Sequence, residues 1–227
     1  MRTPDALSRA ALDAWAVVMP TECSGCGAPD RALCEACLAA LRPRLHSSER
    51  SGVQVLSALD YSGVARRVLG AFKDGGRTDA AGALAGPLRS VVAAALARAE
   101  PGGPGIHLVT VPSSRRAWRI RGYHPVDLLL RRAGLRATRV LRTVAETQDQ
   151  VGLGLEDRSR NRAGSLTALR RLDGFRALVV DDILTTGATV LEARRAVLHA
   201  GGEVVGVATV AETRRRFPAA QSSSETH

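Results

Sequence analysis

The chain has 227 residues, 45% of them apolar but only 3% aromatic, and a formal charge of +10. That is enough for one large domain with a small appendage and a core of Ala, Val and Leu. The charge points to polyanionic partners, whether nucleic acid, a membrane surface or phosphorylated ligands, while scarce aromatics argue against a stacking platform for single strands. Part of the charge is a compositional habit, since Lys73 is the single lysine among the 32 basic residues. No run approaches the ~18 apolar residues of a membrane span. Asp5, Arg9 and Asp13 break what would be the apolar core of a signal peptide. A cytoplasmic protein without membrane insertion is expected.

Apolar residues at Leu7, Ala10, Ala11, Ala14, Trp15 and Val18 predict a short amphipathic helix over Asp5–Val18, stopped by Pro20. All four cysteines follow within fifteen residues, as Cys23-x2-Cys26 and Cys34-x2-Cys37. Two intervening residues let both sulfurs of a pair reach one metal, so the pattern predicts a tetrahedral structural Zn²⁺ site. Redox pairs or a disulfide framework are the competing readings; a cytoplasmic chain with no other cysteine disfavours the second, and the lack of a thioredoxin-like context disfavours the first. Four thiolates leave no open coordination position, which makes the site's role folding rather than chemistry. A short helix over Glu35–Leu41 and a polar linker over 46–52 complete this part. The expected division is a zinc-knuckle module over 1–45, a main domain over 53–212 and a disordered tail over 213–227.

In the main domain the patterns predict a strand over Val53–Tyr61, a helix over Gly63–Phe72, a turn over Lys73–Arg77 and a long alanine-rich helix over Thr78–Ala99. A buried strand over Ile106–Val111 precedes a loop, Pro112–His124, that carries four arginines. A helix over Pro125–Ala133 and a strand over Thr138–Arg142 come next. Residues 144–165 lack periodicity, which marks a functional lid or a disordered loop. An apolar run, Ala177–Val180, then ends in Asp181 and Asp182. A hydroxyl-rich turn, a helix over Ala188–Ala200 and a strand over Glu203–Val210 close the chain. Strands alternating with helices argue for a parallel α/β sheet with all strand C-termini on one rim.

The segment Val179-Val180-Asp181-Asp182-Ile183-Leu184-Thr185-Thr186-Gly187-Ala188-Thr189 holds the chemistry. A strand that ends where a helix begins is where open α/β sheets bind ligands. Free amides at the helix start, with three threonine hydroxyls, make a phosphate cradle beside two acids able to hold a diol or Mg²⁺. No Gly-x-Gly-x-x-Gly opens a helix, which argues against a dinucleotide fold. Lys73 is followed by Asp74, so the lysine loop that a nucleotide hydrolase needs is missing.

The same segment resembles the phosphoribosyl-pyrophosphate (PRPP) signature of type I phosphoribosyltransferases. With the four cysteines, Tyr61-Ser62-Gly63, Phe72-Lys73, Val111-Pro112, Arg119-x-Arg121-Gly122-Tyr123, Gln148 and Arg158-x2-Asn161, it is similar to the ComF family. The resemblance implies a type I phosphoribosyltransferase fold, a twisted, mainly parallel sheet flanked by helices, behind the zinc module. It implies that Asp181 and Asp182 contact the ribose hydroxyls and, through water, Mg²⁺, and that Thr185, Thr186, Gly187, Ala188 and Thr189 hold the 5′-phosphate. Pyrophosphate would lie along Pro112, Ser113, Ser114, Arg115 and Arg116, neutralised by Lys73, Arg119 and Arg121. Gln148, Arg158 and Asn161 would belong to a loop that closes over PRPP. Two departures stand out. Tyr123-His124-Pro125 replaces the family's usual Phe-Asn-Gln, and Thr185 stands where purine-salvage members have Asp, so the acceptor stays open. Two functions are implied: an Mg²⁺-dependent transferase moving ribose 5-phosphate from PRPP to a nucleobase-like acceptor, or a PRPP-sensing scaffold in competence and DNA uptake. The second would act with single-stranded DNA and a helicase-like partner.

Overall fold

The computed structural model describes residues 22–100, 103, 105–144 and 164–214. The expected helix over Asp5–Val18, the loop residues Gln148, Arg158 and Asn161, and the tail beyond 214 lie outside the described residues. The side chains of Arg115 and Arg116 lie outside them too.

The elements run α1 (Glu35–Ala40), β1 (His46–Arg50), β2 (Val53–Asp60), α2 (Gly63–Lys73), a 3₁₀ turn (Thr78–Ala80), α3 (Ala81–Arg98), β3 (Ile106–Thr110), α4 (Arg115–Arg121), α5 (Pro125–Arg132), β4 (Leu141–Thr143), β5 (Leu166–Ala168), β6 (Arg176–Leu184), α6 (Ala188–His199) and β7 (Glu203–Glu212). A five-stranded sheet has the order β1-β2-β7-β6-β3. All neighbours in it are parallel except β1, which pairs antiparallel with β2 at one edge. Alternation along β6 explains how one strand feeds two cores: Leu178 and Val180 join the cluster containing Phe72, Leu84 and Leu88, while Ala177 and Val179 join the one with Val190, Ala193 and Val197. Helices therefore cover both faces, which is why the strand reads as a continuous apolar run.

Four expectations need correction. The polar linker over 46–52 is β1 and a hairpin turn, with Ser51 at φ 50° and Gly52 at φ 75°. Two consecutive positive φ values suit the tight two-residue turn that matches strand twist. The loop over 112–124 contains α4, because Ser114 accepts the Ala117 amide at 3.1 Å as its cap and Gly122 ends it at φ 74°. The strand expected over Thr138–Arg142 is regular only at Leu141–Thr143, and pairs with β5 in a separate two-stranded ribbon; Thr138 still donates to the Leu108 carbonyl at 2.7 Å. Finally, β6 does not stop at Val180. It runs to Leu184 because β7 continues beside it, pairing Asp181 with Thr209 and Leu184 with Glu212.

The segment Thr78–Arg98 is, by length and composition, long and apolar enough to cross a membrane, contrary to the reading of the sequence. It is nonetheless a core helix: Leu84, Leu88 and Val91 are fully buried in the cluster that lines the sheet. The cysteine segment is fastened to α2, where the Arg67 Nε donates to the Gly25 carbonyl. A Cβ at Gly25 would meet Cys37 and Val64 within 3.1 Å, so only glycine lets the segment approach α2 this closely.

Candidate active site

The C-terminal ends of β2, β3 and β6 surround a cleft of about 440 Å³. Lys73, the last residue of α2, extends from one wall and pairs with Asp182 at 2.8 Å. Asp182 is 3% exposed and also accepts its neighbour's amide, from Ile183, at 2.8 Å. Asp181 accepts the Asp182 amide at 2.9 Å and faces the cleft. Burial first, then the adjacent Asp182 charge, pushes the Asp181 carboxyl up to about 7, although Lys73 pulls it back. Two acids with one ammonium between them leave negative charge that a divalent cation or a pair of hydroxyl donors would relieve. The residues fit Mg²⁺ in that sense.

Ser113, Ser114 and Arg121 also line the cleft. Arg121 is held by Asp74 at 3.0 Å, a partner that the sequence reading treated only as a turn residue. Thr185 and Thr189 close the end of the cleft. Behind them Gly187 adopts φ 88° and caps α6, and Thr186 accepts the Ala188 amide at 3.3 Å. The early amides of a twelve-residue helix thus lie next to the cleft, a ready anion site.

Of the residues singled out from sequence, Lys73, Pro112, Ser113, Ser114, Arg121, Asp181, Asp182, Thr185 and Thr189 line one cavity. Thr186, Gly187 and Ala188 build the turn behind it. Arg119 points elsewhere: it is exposed on α4 and does not line the cleft. In the Tyr123-His124-Pro125 departure, Tyr123 donates to the Phe72 carbonyl and packs on the Phe72 ring at 5.6 Å, tying α2 to the α4–α5 junction. His124 lines a neighbouring pocket of about 140 Å³ with Asp127 and Arg139, where Asp127 is already held by Thr110 at 3.0 Å and Arg139 at 2.6 Å. Sequence reasoning missed Arg50 and Glu212. Arg50 lies over Gly187 and sits in the segment read as a linker, while Glu212 lies two residues past the expected end of the last strand, which runs on to Glu212.

The Sγ atoms of Cys23, Cys26, Cys34 and Cys37 lie within 4.8 Å of one another. Tetrahedral Zn–S bonds of about 2.3 Å place sulfurs about 3.8 Å apart, so the cluster fits a Zn²⁺ ion. Burial raises Cys23, but amides of Cys34, Gly25 and Cys26 outweigh it and bring the thiol down to about 6. Burial and the neighbouring sulfurs push Cys37 up to about 12. A cation among them would remove that repulsion.

A family model described as phosphoribosyl transferase domain matches residues 122–222. An orotate phosphoribosyltransferase of Mycobacterium leprae (strain TN) is 61% identical over 41 residues, 18% of this chain and 23% of that enzyme, so the chain spans less than a quarter of that relative's length. A DNA utilization protein, YhgH of Salmonella typhi, is 27% identical over 220 residues, covering 85% of this chain and 93% of that one. Among solved structures, orotate phosphoribosyltransferase from Mycobacterium tuberculosis H37Rv aligns at a TM-score of 0.34 and 21% identity, over 78% of this chain and 82% of that one.

Proposed function

We propose that the chain is a ComF-like protein, a reading supported by the phosphoribosyl transferase domain match, the likeness to YhgH and the four-cysteine cluster, and that it binds PRPP in the Asp181–Asp182 cleft and transfers ribose 5-phosphate to a nucleobase-like acceptor. One observation carries the reading: an anion-binding helix start, two acids and a basic wall converge on a single cavity. The 5′-phosphate occupies the Thr185–Thr189 turn. The ribose diol lies by Asp181 and Asp182, and the pyrophosphate lies along Ser113 and Ser114 toward Arg121 and Lys73. As the acceptor bonds to the sugar's anomeric carbon, the carbon–oxygen bond to pyrophosphate breaks and its electron pair leaves with pyrophosphate. Cations placed where that charge gathers, and acids beside the electron-poor sugar, favour the transition state over the ground state. A bound Mg²⁺, held by Asp181 and Asp182 through water, would add neutralising charge at the leaving group. The module holds a structural Zn²⁺.

Calorimetry with PRPP, with and without Mg²⁺, tests the placement. Asp181→Asn and Asp182→Asn should each lose about 1.5–3 kcal/mol, the scale of a charged hydrogen bond. Wild-type affinity in both variants would show that the acids do not face the sugar. Pyrophosphate release with a panel of acceptors separates turnover from binding.

A second reading, a PRPP-binding scaffold acting on DNA with a helicase-like partner, is favoured by the name of the Salmonella relative and by α4, which exposes Trp118 at 49% and Ile120 at 73% beside Arg119. It predicts single-stranded DNA affinity that falls steeply with salt and drops in Trp118→Ala. Salt-independent binding, or none, removes this reading.

A further inference from the structure

The turn that would hold the 5′-phosphate is backed by a charged cluster that belongs to no part of the cleft wall. Side chains alternate along β1, so His46, Ser48 and Arg50 face inward while Ser47 and Glu49 face solvent. All three inward residues converge on Glu212, the last residue of β7, which is 2% exposed. Ser48 donates to its two oxygens at 2.8 and 2.9 Å, Ser57 donates at 3.1 Å, and Arg50 pairs with it through Nη2. The His46 Nε2 stands 3.5 Å away. Glu212 sits in register with Leu184, the residue that ends β6 where the phosphate turn begins. Arg50 also reaches that turn: a Cβ on Gly187 would meet its Cγ at 3.3 Å and its Cδ at 3.5 Å. Its Nη1 donates to the Glu49 carbonyl at 2.9 Å, and its buried Nε has no acceptor among the described residues.

We infer that Arg50, on the edge strand, is the positioning residue of the phosphate turn: anchored on Glu212, it fixes residues 185–187 and places a positive charge behind a phosphate monoester bound in front of them. The inference rests on the PRPP reading of the cleft and adds a residue to it. A buried carboxylate this close to an anion site would repel its ligand, and Arg50 is the group that cancels it. Because Arg50 acts at the turn, it discriminates between the two ends of the cleft. The monoester end depends on it and the Ser113–Ser114 end does not.

The test titrates ribose 5-phosphate and pyrophosphate separately into the full-length wild type, Arg50→Met, Arg50→Lys and the double variant Arg50→Met/Glu212→Gln, with thermal melting of each. Methionine keeps the aliphatic cover of Gly187 and removes the charge. Arg50→Met should weaken ribose 5-phosphate about tenfold, the scale of one nearby charge in a partly screened site, and leave pyrophosphate unchanged. Lysine, and removal of the carboxylate in the double variant, should each restore most of the loss. Unchanged ribose 5-phosphate affinity in Arg50→Met overturns the inference. So does an equal loss of both ligands, or a loss that neither lysine nor the double variant restores, since either marks a structural role alone. A wild type that binds neither ligand refutes the PRPP reading itself, and the inference with it.

Discussion

Asp181 and Asp182 are adjacent in sequence yet differ in setting. Both line the cleft, but Asp182 is 3% exposed and paired with Lys73 at 2.8 Å, while Asp181 accepts only the Asp182 amide among the described hydrogen bonds. The consequence is a pH signature in metal-free protein. Asp181 has its carboxyl raised from 3.8 to about 7 in the folded state, by burial first and by Asp182 second. A raised acid favours the fold when protonated, so its stabilising contribution is full below pH ~4 and is lost as pH rises through ~7. The melting temperature of Asp181→Asn should therefore gain on wild type as pH goes from 4 to 8. Parallel melting profiles across that range would mean that Asp181 is not raised. Legibility at this scale was uneven. The acid pair and its hydroxyl-rich turn stand out because their chemistry is written in consecutive residues. The Arg121–Asp74 pair does not, because its members are 47 residues apart.

At the level of elements, β6, the turn and α6 act as one unit. Gly187 has φ 88° and Arg50 packed on its face, so a side chain there meets backbone strain and crowding together. Left-handed backbone costs a non-glycine residue about 1–2 kcal/mol. Gly187→Ala should lower the melting temperature and weaken ribose 5-phosphate more than it weakens pyrophosphate, as calorimetry would read. Equal weakening of both would mean that the change spreads beyond the turn. The elements read correctly were the ones with strong periodicity and clean stops. The helix of Gly63–Lys73 has Val68, Leu69 and Phe72 on its buried face, and the helix of Ala188–His199 ends before Gly201 at φ 88°. The hairpin of His46–Arg50 was missed because its inward face is polar: His46, Ser48 and Arg50 bury their side chains against Glu212 rather than against apolar residues. A polar stretch whose partner lies over 160 residues away reads locally as a linker. Helix α4 was missed for a different reason, since seven residues are too few for a periodic signal and its stability rests on Ser114 and Gly122 at its ends.

Across the whole molecule, the cysteine module and the cleft share α2. Leu41, at the module's edge, shares a buried cluster with Val68, Leu69 and Phe72, and the helix then delivers Lys73 to Asp182. Removing the metal should therefore lower stability beyond the module. Chelation, or Cys37→Ser, should cut the melting temperature, and elemental analysis should find zinc in the wild type that the variant lacks. A melting temperature indifferent to a chelator that strips the metal would confine the module to an ornament on the surface. The sequence by itself determined the metal-binding cysteine pattern, the alternating α/β order and the phosphate-and-diol segment, because each is encoded by residues close together and recognised by spacing. Only the tertiary structure decided which basic residues line the cleft with the acids and which do not. It drew in Lys73 and Arg121, left Arg119 in solvent, and set Arg50 behind Gly187. The reason is that helix ends and sheet register, not sequence distance, determine where a charge from residue 50 or 73 meets a carboxylate at 212 or 182.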